Sequence, residues 1–194
     1  MARTPSTMLP LGTPAPDFAL PDFDGRHHAL ADCGAAPALL VAFICSHCPF
    51  VRHLRAGFAA MAREYQPRGL AVVAINSNDI EAYPQDGPDA MRTEAAELGY
   101  VFPYLLDATQ SVAKEYRAAC TPDFFLFDAG RRLVYRGQFD DSRPGNGRPV
   151  TGADLRAAID ATLAGHAPHA EQLPSLGCNI KWRKGSEPDY YAGA

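Results

Sequence analysis

Two wholly apolar runs stand out along the chain, Leu39–Ile44 and Leu70–Ile75, and neither contains a polar residue. Their length and their Val and Ile content predict strands covered on both faces. After the first run, Phe50, Leu54, Phe58, Met61 and Tyr65 recur at steps of 4, 4, 3 and 4, the apolar stripe of a helix over 49–66. Pro49 suits its first turn and Pro67 ends it. The spacing predicts a second helix from Pro88 to Leu98, stopped by Gly99, then a short strand at Leu105-Leu106 and a short helix from Gln110 to Arg117. Phe124–Phe127, the turn Asp128-Ala129-Gly130 and the alternating stretch Leu133–Phe139 predict a β-hairpin. Thr151-x-x-Asp154 reads as a capping box opening a last helix, with Leu155, Ile159 and Leu163 inward. Upstream, residues 1–37 are rich in proline and turn residues, and Asp24-Gly25 predicts a small hairpin. Beyond Gly165 periodicity fades. Strand and helix alternate, which predicts one three-layer α/β/α domain over 1–194, its core at about 12–165 and its tail, 166–194, packed upon it.

The candidate chemistry lies where the first strand gives way to the first helix, at Cys45-Ser46-His47-Cys48. The unpaired N–H groups and the dipole of a helix N-terminus favour a thiolate there. A separation of three positions places the second sulfur about one helical turn from the first, within disulfide reach. His47, as a cation between the two, would lower a thiol pKa further. The sequence reading is therefore a redox pair in which the Cys45–Cys48 disulfide does the redox chemistry, with no separate cofactor. A zinc site needs further ligands; His47 and His53 are the only close ones and there is no second CxxC, so no metal is assigned.

The rest of the composition narrows the class. With 47% hydrophobic and 21% charged residues the chain is ordinary for a globular protein, and its formal charge of −4 argues against nucleic acid or an anionic membrane as partner. The first residues lack the basic and apolar regions of a secretory signal, and no window approaches ~18 consecutive apolar residues. Five cysteines, at 33, 45, 48, 120 and 178, are an odd and irregular set, which fits reactive or buried thiols in a reducing compartment better than a disulfide scaffold. The expected location is cytoplasmic.

Several motifs carry a family resemblance. Strand–CxxC–helix, then Thr121-Pro122 ahead of a hairpin, then a closing helix, is the order of a thioredoxin fold. Gly12-x-x-Ala15-Pro16-Asp17-Phe18-x-Leu20 and the added αβ unit around residues 70–100 resemble its enlarged peroxiredoxin and thiol-disulfide oxidoreductase branch. Cys48-Pro49-Phe50-Val51, Ser77-Asn78-Asp79, Thr121–Leu126 and Gly177-Cys178-Asn179-Ile180-Lys181-Trp182 resemble bacterial peroxiredoxin-like thioredoxin-family proteins of the AhpC/TSA type, over about residues 12–188. The resemblance implies a thiol-disulfide oxidoreductase in which an exposed, low-pKa Cys45 attacks and Cys48 resolves. An X-Pro bond is trans by default; the resemblance implies a cis Pro122 facing the cysteines, with Thr121 and Pro122 contacting substrate. The partners so implied are a disulfide-containing protein or small thiol, and a reductase or thiol that recycles the site.

A thiol peroxidase is the alternative, but its Pro-x-x-x-Thr/Ser-x-x-Cys signature is absent: counting back from Cys48 gives Cys45 and Val41, and from Cys45 gives Ala42 and Ala38. A metal-handling module stands further back. Cys120, two residues before Pro122, and Cys178 are candidate additional redox thiols. The tail carries Ile180, Trp182, Tyr190 and Tyr191, too much apolar area to stay solvated, so it is expected to fold back and bring Cys178 toward the site. Asn76–Asp79 follow a buried strand at the end where α/β sheets place ligands, which leaves them as a cleft wall or as plain turn chemistry. Asp140-Asp141, His27-His28 and His166-x-x-His169 read as solvated turns, and Cys33 as incidental.

Overall fold

The first apolar run is buried along its whole length because neighbours cover both of its edges and both of its faces. The computed structural model describes residues 3–191. In chain order its elements are β1 (Arg3–Pro5), β2 (Ala19–Pro21), β3 (His27–Ala29), β4 (Ala38–Phe43), α1 (Pro49–Tyr65), β5 (Leu70–Asn76), α2 (Pro88–Leu98), β6 (Tyr104–Leu106), α3 (Ser111–Glu115), β7 (Cys120–Thr121), β8 (Asp123–Asp128), β9 (Leu133–Gly137), α4 (Ala153–Leu163) and β10 (Leu176–Asn179). The central sheet runs β6-β5-β4-β8-β9. β4 pairs in parallel with β5 and antiparallel with β8, so it is the middle strand.

Alternation along β4 sorts the two layers. Leu40, Ala42 and Ile44 share one cluster with Phe50, Leu54, Phe58 and Met61 of α1, Met91 of α2 and Leu155 and Ile159 of α4. Leu39, Val41 and Phe43 share the other with Val112 and Ala113 of α3, with Phe18, and with Ile180 and Trp182 of the tail. This is the thioredoxin fold expected from the sequence, enlarged by the β2–β3 hairpin and the unit containing α2. Phe58 anchors the first layer. It is fully buried, with ring centroids 5.3 Å from Phe102 and 5.6 Å from Phe124, and losing such a side chain costs about 3–5 kcal/mol.

Three local expectations are corrected. α4 does not open on a Thr151 capping box: its N-cap is Gly152, at φ 68°. The buried Asp140 carboxylate accepts the N–H groups of Thr151 at 2.7 Å and Gly152 at 2.6 Å instead. Asp140 is thus no solvated turn residue; its negative charge sits at a helix N-terminus, where donors and dipole favour it. The tail, read as aperiodic, contributes β10 as the middle strand of a second sheet, β1-β10-β7. Gly177 and Cys178 at its centre are both buried, so the alternation that announces a half-exposed strand is missing.

Candidate active site

β4 ends at Phe43, and the chain turns through Ile44–His47 into α1. Cys48 is the extended N-cap residue, at φ −64° and ψ 123°, with Pro49 in the first turn. Thr121 joins both sulfurs from across the site. Its peptide bond to Pro122 is cis; its Oγ1 lies 3.4 Å from Cys45 Sγ and its carbonyl oxygen 3.1 Å from Cys48 Sγ. Cys45, Cys48 and Thr121 are therefore brought together, with Pro122 next along the chain.

The exposure of Cys45 is not as expected. Cys45 is only 1% exposed, Cys48 0% and Cys178 2%. Hydrogen bonds from the Cys178 and Cys45 thiols, with help from the Val51 N–H, hold the Cys48 thiol far below its ordinary value. Cys45 moves the other way: its bond to Cys48 raises it, and burial and the Asp86 charge add to that. Cys178 is likewise raised, first by its bond to Cys48. Burial opposes a thiolate on Cys48, and the Cys48 Sγ–H is directed at the Thr121 carbonyl oxygen. The direction of these shifts favours a thiolate at Cys48 over one at the buried Cys45.

His47 does not face the sulfurs as a lone cation. Its backbone N–H donates to Asp86 Oδ1 at 3.0 Å, and its Nδ1 lies 2.5 Å from Oδ2. The ring stacks on Tyr83, 5.9 Å away and nearly parallel. Asp86 is fully buried and also accepts from Asn78 Nδ2 at 2.8 Å, while Asn76 Nδ2 donates to its carbonyl at 2.7 Å. Asn76 and Asn78 thus form a wall of the site by holding Asp86. Nothing in the sequence around Asp86 marked it. The ligand atoms of Cys45, His47 and Asp86 lie within 4.8 Å of one another, three donors of types that zinc accepts; His47 Nδ1 and Asp86, however, already satisfy each other.

Thr121 was expected to offer its backbone edge to a substrate. That edge is taken by the chain itself: β10 lies antiparallel to β7, with Cys178 opposite Thr121 and Asn179 opposite Cys120. Cys120 is fully buried, its Sγ–H directed at the Pro122 carbonyl at 3.5 Å, and burial pushes its pKa up. Burial therefore disfavours a thiolate at Cys120. Cys33 is half-buried and raised by burial too. His28 pairs with Asp22 at 3.0 Å in the β2–β3 turn, and His169 contacts the Glu171 backbone; neither reaches the sulfurs.

Fold and site together define a thioredoxin-fold protein with a cysteine pair at the strand–helix junction. The AhpC/TSA family profile matches residues 11–136, and the chain belongs to that family. A hypothetical protein of Sinorhizobium meliloti 1021 is 58% identical, with a TM-score of 0.92 covering 94% of this chain and 100% of that one. The thiol-disulfide oxidoreductase ResA of Geobacillus thermodenitrificans is 27% identical over 132 residues, 67% of this chain and 70% of ResA. Peroxidoxin BcpB of Mycobacterium tuberculosis, at 19% identity, shares the fold with a TM-score of 0.59 over 80% of this chain and 96% of its own.

Proposed function

We propose that the protein is a thiol-disulfide oxidoreductase working through Cys45 and Cys48, with Cys48 carrying the attacking thiolate. The observation that carries this reading is the meeting of Cys45 and Cys48 on Thr121 at the N-terminus of α1, where Cys48 is the N-cap residue and its thiol is shifted down. The Cys48 thiolate attacks one sulfur of a substrate disulfide, forming a mixed disulfide and releasing one substrate thiol. Cys45 then gives up its proton and attacks Cys48 Sγ, closing the Cys45–Cys48 disulfide and releasing the second thiol. Two electrons pass to the substrate, and a reductase or thiol returns them. The resemblance implied the opposite order of attack; the charge distribution favours this one. His47 and Asp86 position the loop between the cysteines, and Asp86 keeps Cys45 protonated until it is needed. We place the protein in a reducing compartment, where the pair is regenerated.

A second reading, a thiol peroxidase, is favoured by the enclosure of all three sulfurs, which admits a small oxidant more readily than a protein. Against it stand Cys45 and Val41 where a peroxidatic cysteine would want Thr or Ser and Pro. Steady-state assays with a chromogenic aromatic disulfide and with hydrogen peroxide, each coupled to a thioredoxin system, separate the two. Turnover of the disulfide that is lost in Cys48→Ser is the expected result. Peroxide turnover alone would reverse the assignment.

A further inference from the structure

The tail does more than cover the site. β10 is fixed from three sides: β1 pairs along its other edge with Arg3 opposite Cys178, Ile180 N–H donates to the Ala119 carbonyl at 3.1 Å, and Lys181 N–H donates to Asn78 Oδ1 at 2.9 Å. Gly177 permits the approach, because a Cβ there would lie 2.0 Å from the Thr121 carbonyl oxygen. Cys178 is thereby set opposite the residue that contacts both Cys45 and Cys48, all three cysteines lie in one buried cluster, and Cys178 is near enough to shift the Cys48 thiol. Cys48 thus has two thiol neighbours, one from its own helix turn and one from the far end of the chain.

We propose that Cys178 is a third redox-active cysteine of this site, exchanging with the Cys45–Cys48 disulfide to form a Cys48–Cys178 disulfide in its place. The proposal rests on the reading that Cys45 and Cys48 cycle. In the exchange the Cys178 thiolate attacks Cys48 Sγ, the Cys45–Cys48 bond breaks, and Cys45 leaves as a thiolate that takes up the proton Cys178 gave up. The oxidation level is unchanged, so no further oxidant enters. When a mixed disulfide stands on Cys48, Cys178 can resolve it directly, releasing the substrate thiol. In one oxidised form β10 is bonded over the site; in the other it is held by packing and hydrogen bonds alone.

The test is to treat the reduced full-length protein with oxidised glutathione, quench in acid, alkylate, and map peptides without reduction. In Cys45→Ser, Cys178 is expected to displace glutathione, so that a linked Cys48–Cys178 peptide accumulates and the glutathione adduct is lost. In Cys45→Ser/Cys178→Ser the adduct on Cys48 should persist. Cys45→Ala serves in the same assay should the serine variant not fold. If wild type closes Cys45–Cys48 but the single variants keep glutathione on Cys48 with Cys178 alkylatable, the third-cysteine proposal falls while the function stands. If wild type forms no linkage through Cys48 at all, the functional reading falls and takes the proposal with it.

Discussion

Gly177 passes so close to Thr121 that a methyl group on its α-carbon would sit 2.0 Å from the Thr121 carbonyl oxygen and 3.1 Å from the Pro122 nitrogen. The contact is with backbone, so no side chain can rotate away to relieve it. A single substitution here therefore acts on the strand that closes the site rather than on the sulfurs.

Gly177→Ala is expected to lift β10 from Thr121 and to destabilise the protein by about 1–3 kcal/mol, the usual cost of overpacking. Cys48, normally enclosed, should then react faster with iodoacetamide. Thermal melting and timed alkylation at matched folded fraction check this; an unchanged alkylation rate would mean that β10 does not limit access.

The charge on Cys48 has a pH signature. A thiol at its ordinary value gains about tenfold in thiolate per pH unit below its pKa. Held down by Cys178 and Cys45, Cys48 should keep its thiolate as pH falls from 8 to 5. The ultraviolet thiolate absorbance of wild type should stay level over that range and be missing in Cys48→Ser. A sigmoidal rise centred near the free-cysteine value would contradict the assignment.

Asp123, beside the cis peptide, gives a stability signature of opposite character. Burial pushes its pKa up to about 7, against lowering bonds from Ser6 Oγ and the Ala119 N–H. A folded-state value above the unfolded one means the unfolded chain releases its proton first. Asp123 therefore favours folding below about pH 4, and that contribution fades as pH rises toward 7. Asp123→Asn can still accept from Ala119 and donate to Ser6, so it should gain stability over wild type on going from pH 5 to 8, by roughly 1–3 kcal/mol. Denaturant midpoints at the two pH values measure this; an equal difference at both would refute it.

Asp86→Asn removes the buried charge beside Cys45. With that repulsion gone, the Cys45 thiol should become more acidic and the reduced pair relatively more stable, so the disulfide becomes more easily reduced. His47 keeps a hydrogen-bonding partner but loses the carboxylate, so the loop between the cysteines is held less firmly. A reduction potential equal to that of wild type in the folded variant would show that Asp86 acts only in packing.

Local pattern carried the elements whose signals are local. β4 and β5 were legible because full burial requires uninterrupted apolar residues, α1 because one stripe faces the sheet, and the end of α2 because Gly99 takes the left-handed conformation, φ 60°. The cysteine pair was legible because its chemistry needs only a strand–helix junction. β10 was not: its partners, Arg3 and Thr121, lie far away in sequence, and burial of Gly177 and Cys178 together erases alternation. The apolar residues of the tail did announce that it folds back. Asp86 was hidden for a different reason, since its meaning comes from Asn76, Asn78 and His47 meeting one loop. The burial of Cys45 follows from that same tail and that same loop, which the CxxC turn alone does not show.

The most direct test of the account is a redox titration of the full-length wild-type protein in glutathione buffers, with thiols tagged at each point and disulfides mapped. Two thiols are expected to disappear in a single two-electron step, with Cys48 in every linked peptide and Cys45 as its main partner. Cys45 and Cys48 remaining fully taggable across the whole range, or the lost thiols mapping to Cys33 and Cys120, would contradict it.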